Sequence, residues 1–135
     1  MASRTRLAVF GSTGSVGRQA LQVADAFPES LQVTCLTTAE STGLLAQQCQ
    51  TYRPRLAVVA TAGAADELRQ ALNGLGTRVL FGPEGLLEAA TSDTYDVALM
   101  AIAGVAALEP TLQILRHKKR LALANKESLV AGGHL

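Results

Sequence analysis

The stretch GSTGSVG sets Gly11, Gly14 and Gly17 at every third position, directly after the apolar run RLAVF and ahead of a segment with helical spacing. The chemistry available at such a turn belongs to the backbone. A helix N-terminus leaves N–H groups unpaired and carries partial positive charge, so a phosphate bound there satisfies both. Gly11 permits a sharp exit from the strand, Gly14 lets the backbone approach a diphosphate, and Gly17 lets the helix pack close to the sheet. Ser12, Thr13 and Ser15 add hydroxyls able to donate to phosphate oxygens. No Gly-Lys-Ser/Thr follows as in a P-loop, which favours a dinucleotide over a nucleoside triphosphate.

The end of the second strand carries the next choice. An acid in that region bonds the ribose 2′-hydroxyl of NAD, whereas basic or hydroxyl groups accept the 2′-phosphate of NADP. The residues there are TTAES: Glu40 suits NAD, while Thr37, Thr38 and Ser41 suit a phosphate. On residue chemistry alone both cofactors remain open.

These residues need a scaffold in which strands and helices alternate, and the chain has that order from end to end. Strands are predicted at 6–10, 32–37, 56–60, 78–81, 96–102 and 120–124, the fifth looking the most buried. The first helix is predicted to turn Val16, Ala20, Val23, Ala24 and Phe27 inward, with Pro28 ending it. Leu45, Cys49 and Tyr52 mark the next inward face, and Ala64, Leu68, Ala71, Leu72 and Leu75 the one after. A helix starts near Pro83, another covers 111–117, and a last one opens near NKES. The expected fold is a three-layer, Rossmann-type, doubly wound α/β domain spanning 1–135, with a mainly parallel sheet and helices on both faces.

The bulk properties agree with a single packed domain. The chain is 135 residues long, 48% hydrophobic and 17% charged, with a net charge of +1 that argues against a nucleic-acid or anionic-membrane surface. The only cluster of charge, Lys118, Lys119 and Arg120, reads as a solvated helix end. Cys35 and Cys49 lack metal-ligand or CxxC spacing and read as small core hydrophobes. No secretory or membrane-spanning segment is evident, so a reduced, cytoplasmic protein is expected. His117 and the two tyrosines, Tyr52 and Tyr95, read as surface and packing residues.

EPTLQILRHKKRLALANKESLVAGG, taken with GSTGSVG and MAIAG, resembles 1-deoxy-D-xylulose 5-phosphate reductoisomerases along essentially the whole chain. The resemblance implies the N-terminal NADPH-binding domain of a longer, Mg2+- or Mn2+-dependent enzyme. That enzyme rearranges and reduces deoxyxylulose 5-phosphate to 2-C-methyl-D-erythritol 4-phosphate in non-mevalonate isoprenoid synthesis. It implies that Thr13, Gly14, Ser15 and Val16 bind the diphosphate and that Ala101, Ile102 and Ala103 line the nicotinamide half. Asn125 and Glu127 are then cofactor contacts and Lys126 the catalytic cation that reaches the substrate, though NKE read by itself is equally a polar helix start.

The resemblance further implies a homodimer when full length, with the metal ligands, lid and substrate-phosphate site beyond Leu135, so that the 135 residues alone are inactive. Three positions depart from the family pattern. Ala39, Glu40 and Ser41 replace a Gly-Lys-Asn-like stretch, which weakens the case for NADPH over NADH without reversing it. Lys118 replaces a helix-ending glycine, and Ala107 a loop glycine. The alternatives are another Rossmann oxidoreductase, such as a semialdehyde dehydrogenase, and a nucleotide-binding module without catalysis.

Overall fold

A computed structural model describes residues 4–123. Six strands form one sheet: β1 (Thr5–Phe10), β2 (Leu31–Thr37), β3 (Leu56–Val59), β4 (Arg78–Phe81), β5 (Val97–Met100) and β6 (Arg120–Leu123). Their spatial order is β4-β3-β2-β1-β5-β6, and every pairing is parallel. The helices α1 (Ser15–Ala26), α2 (Thr42–Tyr52), α3 (Ala62–Ala71), α4 (Gly82–Thr91) and α5 (Leu108–Arg116) connect them, with a 3-10 turn at Gly104–Ala107 before α5. The doubly wound α/β fold expected from the alternation is therefore present, and its strand order reverses between β1 and β5.

Side-chain alternation along the strands builds two cores. Val9, Leu36, Ala57 and Val59 join Leu21, Leu45, Leu68 and Leu72 on the side of α1, α2 and α3. Ala8, Phe10, Cys35, Leu56 and Val58 join Ala89, Ala90, Met100 and Ile114 on the side of α4 and α5. Tyr95 closes the second core, edge-on to Phe10 with ring centroids 6.3 Å apart, and its hydroxyl donates to the Ala90 carbonyl. Both cysteines are buried free thiols, and loss of solvation pushes each up to about 12, so they remain protonated packing groups.

The pairing of β1 with β2 is not uniform. Leu7 opposes Val33, but Ala8 opposes Cys35, so Thr34 is passed over and the register slips by one residue. Val33 and Leu36, three positions apart, consequently face the same core.

The first helix corrects the sequence reading. Gly17, Leu21 and Ala24 are its buried face, whereas Val16, Val23 and Phe27 are 40%, 52% and 57% exposed. Two apolar stripes with helical spacing compete here, and the one that includes glycine wins because only that face comes close to the sheet. In α3, Ala65 takes the inward place and Ala71 is exposed. The fifth strand is shorter than predicted, and Val97 and Leu99 are only partly buried. Lys118 adopts φ 57°, the left-handed conformation that the glycine-like position after α5 demands. Ala107 has φ −80° and ψ −16°, a conformation open to any residue, so it needs no glycine.

At the end of the sheet away from the strands' C-termini, Arg6 ties β1 to the entry of β5. Its Nη2 lies 3.0 Å from Asp96 Oδ1, and its backbone N–H donates to Asp96 Oδ2 at 2.8 Å. These hydrogen bonds hold the Asp96 carboxyl at about 2, below its ordinary 3.8. The lowered value means that the contribution to stability is complete above about pH 4 and is lost as pH falls toward about 2. Side-chain exposures of 33% and 39% keep it small, under about 1 kcal/mol after solvent screening. Asp96→Asn should flatten the wild-type loss of stability over that pH interval in acid-unfolding curves; identical curves would contradict the assignment.

Candidate cofactor site

The C-terminal ends of β1 and β5 diverge at the switch point, and the turns that follow them lie against each other. Ala101 N–H donates to the Phe10 carbonyl at 2.8 Å. Gly11 has φ +88°, and a Cβ there would stand 2.9 Å from the Ala101 carbonyl carbon. Gly11 is thus required by the contact between the two turns as well as by its conformation.

Gly17 and Gly14 do different work. A Cβ on Gly17 would lie 2.2 Å from the Gly11 oxygen, so the absence of a side chain lets the first turn of α1 rest on the glycine loop. At Gly14 the backbone is ordinary, φ −77° and ψ 174°, and a Cβ would meet only the Gly11 oxygen at 3.9 Å. Nothing among the described residues requires glycine at position 14; the open space beside it suits a ligand that must approach the main chain. Gly14 is also the N-cap of α1, no side chain caps the helix, and its first turn holds no acid. The N–H groups of that turn have no partner within the helix, and Ser15 and Val16 are exposed there at the positive end of the dipole.

Three side-chain links pin the loop in place. Thr37 Oγ1 accepts from Gly11 N–H at 2.8 Å. Ser12 Oγ donates to Gln48 Oε1 at 2.7 Å, with the Thr37 carbonyl 3.2 Å away as a second acceptor, while Gln48 Nε2 donates back to the Ser12 carbonyl at 2.9 Å. Thr13 Oγ1 and Thr38 Oγ1 are 2.6 Å apart. Ser12 is buried and does not line the cleft, so its hydroxyl serves the loop and not a phosphate, contrary to the sequence expectation, whereas Thr37, though nearly buried, still lines the cleft. Each hydroxyl has a single proton, so the Thr13–Thr38 pair keeps one donor for a bound group.

Above this loop lies a cleft of about 670 Å³. It brings together Gly11, Thr13 and Gly14 from the glycine turn with Thr38, Ala39, Glu40 and Ser41 from the β2–α2 turn, and with Ala101, Ile102 and Ala103 after β5. Ser15 and Val16 are exposed beside it on α1 and do not line it, and Gly17 is buried beneath the loop. The sequence reading missed the far wall, where Val58, Val59 and Ala60 at the end of β3 meet Gly82, Pro83 and Leu86 at the start of α4. The location was inferable, since ligands of open parallel sheets sit beyond the strands' carboxyl ends. Asn125, Lys126 and Glu127 lie outside the described residues, as does the helix predicted near them. Among the described residues no group of His, Cys, Asp and Glu can hold a metal ion, and no helix is long and apolar enough to cross a membrane.

A family model for 1-deoxy-D-xylulose 5-phosphate reductoisomerase matches residues 7–133. The chain belongs to that family. The reductoisomerase of Parasynechococcus marenigrum is 45% identical over 130 residues, covering 93% of this chain and 32% of that protein. Reductoisomerase 1 of Bacillus thuringiensis subsp. konkukian is 41% identical over 129 residues, 96% of this chain and 33% of its own length. Among solved structures, the Zymomonas mobilis reductoisomerase in complex with NADPH is similar with a TM-score of 0.88 and 34% identity, over 97% of this chain and 34% of that one. A reductoisomerase in complex with NADPH, fosmidomycin and magnesium gives a TM-score of 0.89 at 34% identity, over 97% and 32%. The chain thus spans about a third of the length of the reductoisomerases it matches. Membership sets aside the semialdehyde dehydrogenase alternative.

Proposed function

We propose that these 135 residues are the cofactor-binding domain of a 1-deoxy-D-xylulose 5-phosphate reductoisomerase, with NADPH as the dinucleotide. The reading rests above all on Gly14: an open, uncapped helix N-terminus at the switch point, bare where a diphosphate would lie. Reductoisomerases similar to this chain have been solved with NADPH, which supports the cofactor. The N–H groups of the first turn of α1 and the Thr13–Thr38 hydroxyls would hold the diphosphate. Ala101, Ile102 and Ala103 would wall the nicotinamide, whose role is to supply the hydride. Lys126 would present a cation to a substrate oxygen, with Asn125 and Glu127 against the cofactor.

In the whole enzyme, deoxyxylulose 5-phosphate would be rearranged and reduced with a divalent metal held by residues outside those described. The protein would work as a cytoplasmic homodimer. Hydride transfer needs a substrate fixed beside the nicotinamide, so the 135 residues alone should bind cofactor without turning over substrate.

Calorimetric titration with NADPH should give saturable one-to-one binding, weakened at least about tenfold, or about 1.4 kcal/mol, by Gly14→Val with the fold retained. Adding deoxyxylulose phosphate and Mn2+ should oxidise no NADPH. Absence of binding, or indifference to the substitution, would refute the cofactor site; turnover at the rate of a complete reductoisomerase would refute the division of labour.

A further inference from the structure

The ribose end of the cleft has an electrostatic composition that its shape does not reveal. Among the described residues lining the cleft, Glu40 alone carries a charge, and no described lysine or arginine lines it. Glu40 is exposed on the turn between β2 and α2, one residue before Ser41, the N-cap of α2. A carboxylate at that point is favoured by the helix dipole, so it occupies the electropositive position that an anionic ligand group would otherwise seek. The guanidinium of Arg18, on the first turns of α1, hydrogen-bonds back to the Gly14 carbonyl, with Nε 3.4 Å away, and does not line the cleft.

The neutral groups that could receive a phosphate are also largely committed. Thr37 is buried with Oγ1 on Gly11 N–H, and Thr38 Oγ1 accepts from Ser41 N–H at 3.1 Å while paired with Thr13. Only the Ser41 hydroxyl, exposed and not capping its own helix, stands beside Glu40 without such a commitment. A carboxylate flanked by one hydroxyl suits a ribose diol, whose 2′-OH donates to it; a 2′-phosphate meets like charge and few donors.

On the reading that the cleft binds a pyridine dinucleotide, we propose that Glu40 is a specificity-determining residue that makes this chain a dual-cofactor binder. It accepts NADH with an affinity within about tenfold of that for NADPH, a difference of no more than about 1.4 kcal/mol. Carboxylate and 2′-phosphate repel each other, so removing the charge at position 40 relieves NADPH alone, and reversing it converts repulsion into attraction.

The experiment is a pair of calorimetric titrations, NADH and NADPH, on the wild-type chain, Glu40→Gln and Glu40→Lys, with folding checked by circular dichroism. Because Glu40 is exposed, neither substitution disturbs a packed contact. Wild type should bind the two dinucleotides within about tenfold of each other, and Glu40→Lys should raise NADPH affinity at least about tenfold. Glu40→Gln should fall between them, and NADH binding should not strengthen in either variant. Raised ionic strength should narrow the difference between wild type and Glu40→Lys for NADPH. A wild-type preference for NADPH above tenfold, or a NADPH/NADH ratio unmoved by Glu40→Lys, overturns this proposal and leaves the dinucleotide site standing. Folded protein that binds neither dinucleotide overturns the site itself, and the proposal with it.

Discussion

Gly17→Ala should lower folding stability by about 3 kcal/mol, at the upper end of what an added methyl costs in a packed interior. The new Cβ would be 2.2 Å from the Gly11 oxygen, 2.7 Å from Ser12 Cα and 2.9 Å from the Ser12 carbonyl carbon. All three are backbone atoms, so no rotamer change relieves the overlap. Either α1 lifts from the sheet, or the loop that the threonine and glutamine links hold in place must move. Alanine's helix propensity returns about 1 kcal/mol at most, too little to change the sign. Gly63→Ala is the control, because it is also helical and a Cβ there meets nothing within 4 Å. It should be neutral or stabilising by up to about 0.5 kcal/mol. Urea unfolding should therefore come earlier for Gly17→Ala and no earlier for Gly63→Ala; stabilisation of both would show that helix propensity and not the loop contact governs position 17.

Gln48→Leu should cost about 2 kcal/mol, the penalty for leaving a buried polar group without its partner. Gln48 is 7% exposed and Ser12 fully buried, and the two exchange hydrogen bonds at 2.7 and 2.9 Å. Leucine is close to glutamine in size, so the loss reflects the stranded Ser12 carbonyl and hydroxyl more than packing. In the cycle with Ser12→Ala, the two substitutions should be non-additive by about 1 kcal/mol, the double variant being less damaged than the sum. Strict additivity would mean that Gln48 supports α2 without holding the glycine loop. Dinucleotide affinity should fall along with stability, because Ser12 lies between Gly11 and the Thr13–Thr38 pair.

What the sequence disclosed follows from range. Glycine spacing and strand-helix alternation are local, and they located the turn and the six strands within a residue or two. The links that hold the loop join positions 25 to 36 apart, Thr13 to Thr38 and Ser12 to Gln48, and no local pattern announces them. Gln48 did carry a signal: three residues after Leu45 and next to Cys49, it sits on the buried stripe of α2, where a polar side chain must have a partner. The inward face of α1 was misread because counting apolar residues leaves glycine out, although Gly17 is the closest approach of that helix. Lys118 was legible only through the resemblance, which puts a helix-ending glycine at that position, and the backbone there is left-handed. The far wall of the cleft, from β3 and α4, depends on which strands become neighbours.

The skipped pairing at Thr34 gives the second strand a change of parity. Before it, odd positions such as Val33 point toward α1, α2 and α3; after it, even positions such as Leu36 do. Thr37, one step later, meets Gly11 N–H, and Thr38 meets Thr13, so both polar anchors of the glycine loop are in phase because of that extra residue. A graft of this strand into a related sheet must therefore preserve an odd-even offset as well as a length. A regular strand of equal polarity pattern would deliver its threonines to the wrong faces, and the glycine turn would arrive with nothing to fasten it.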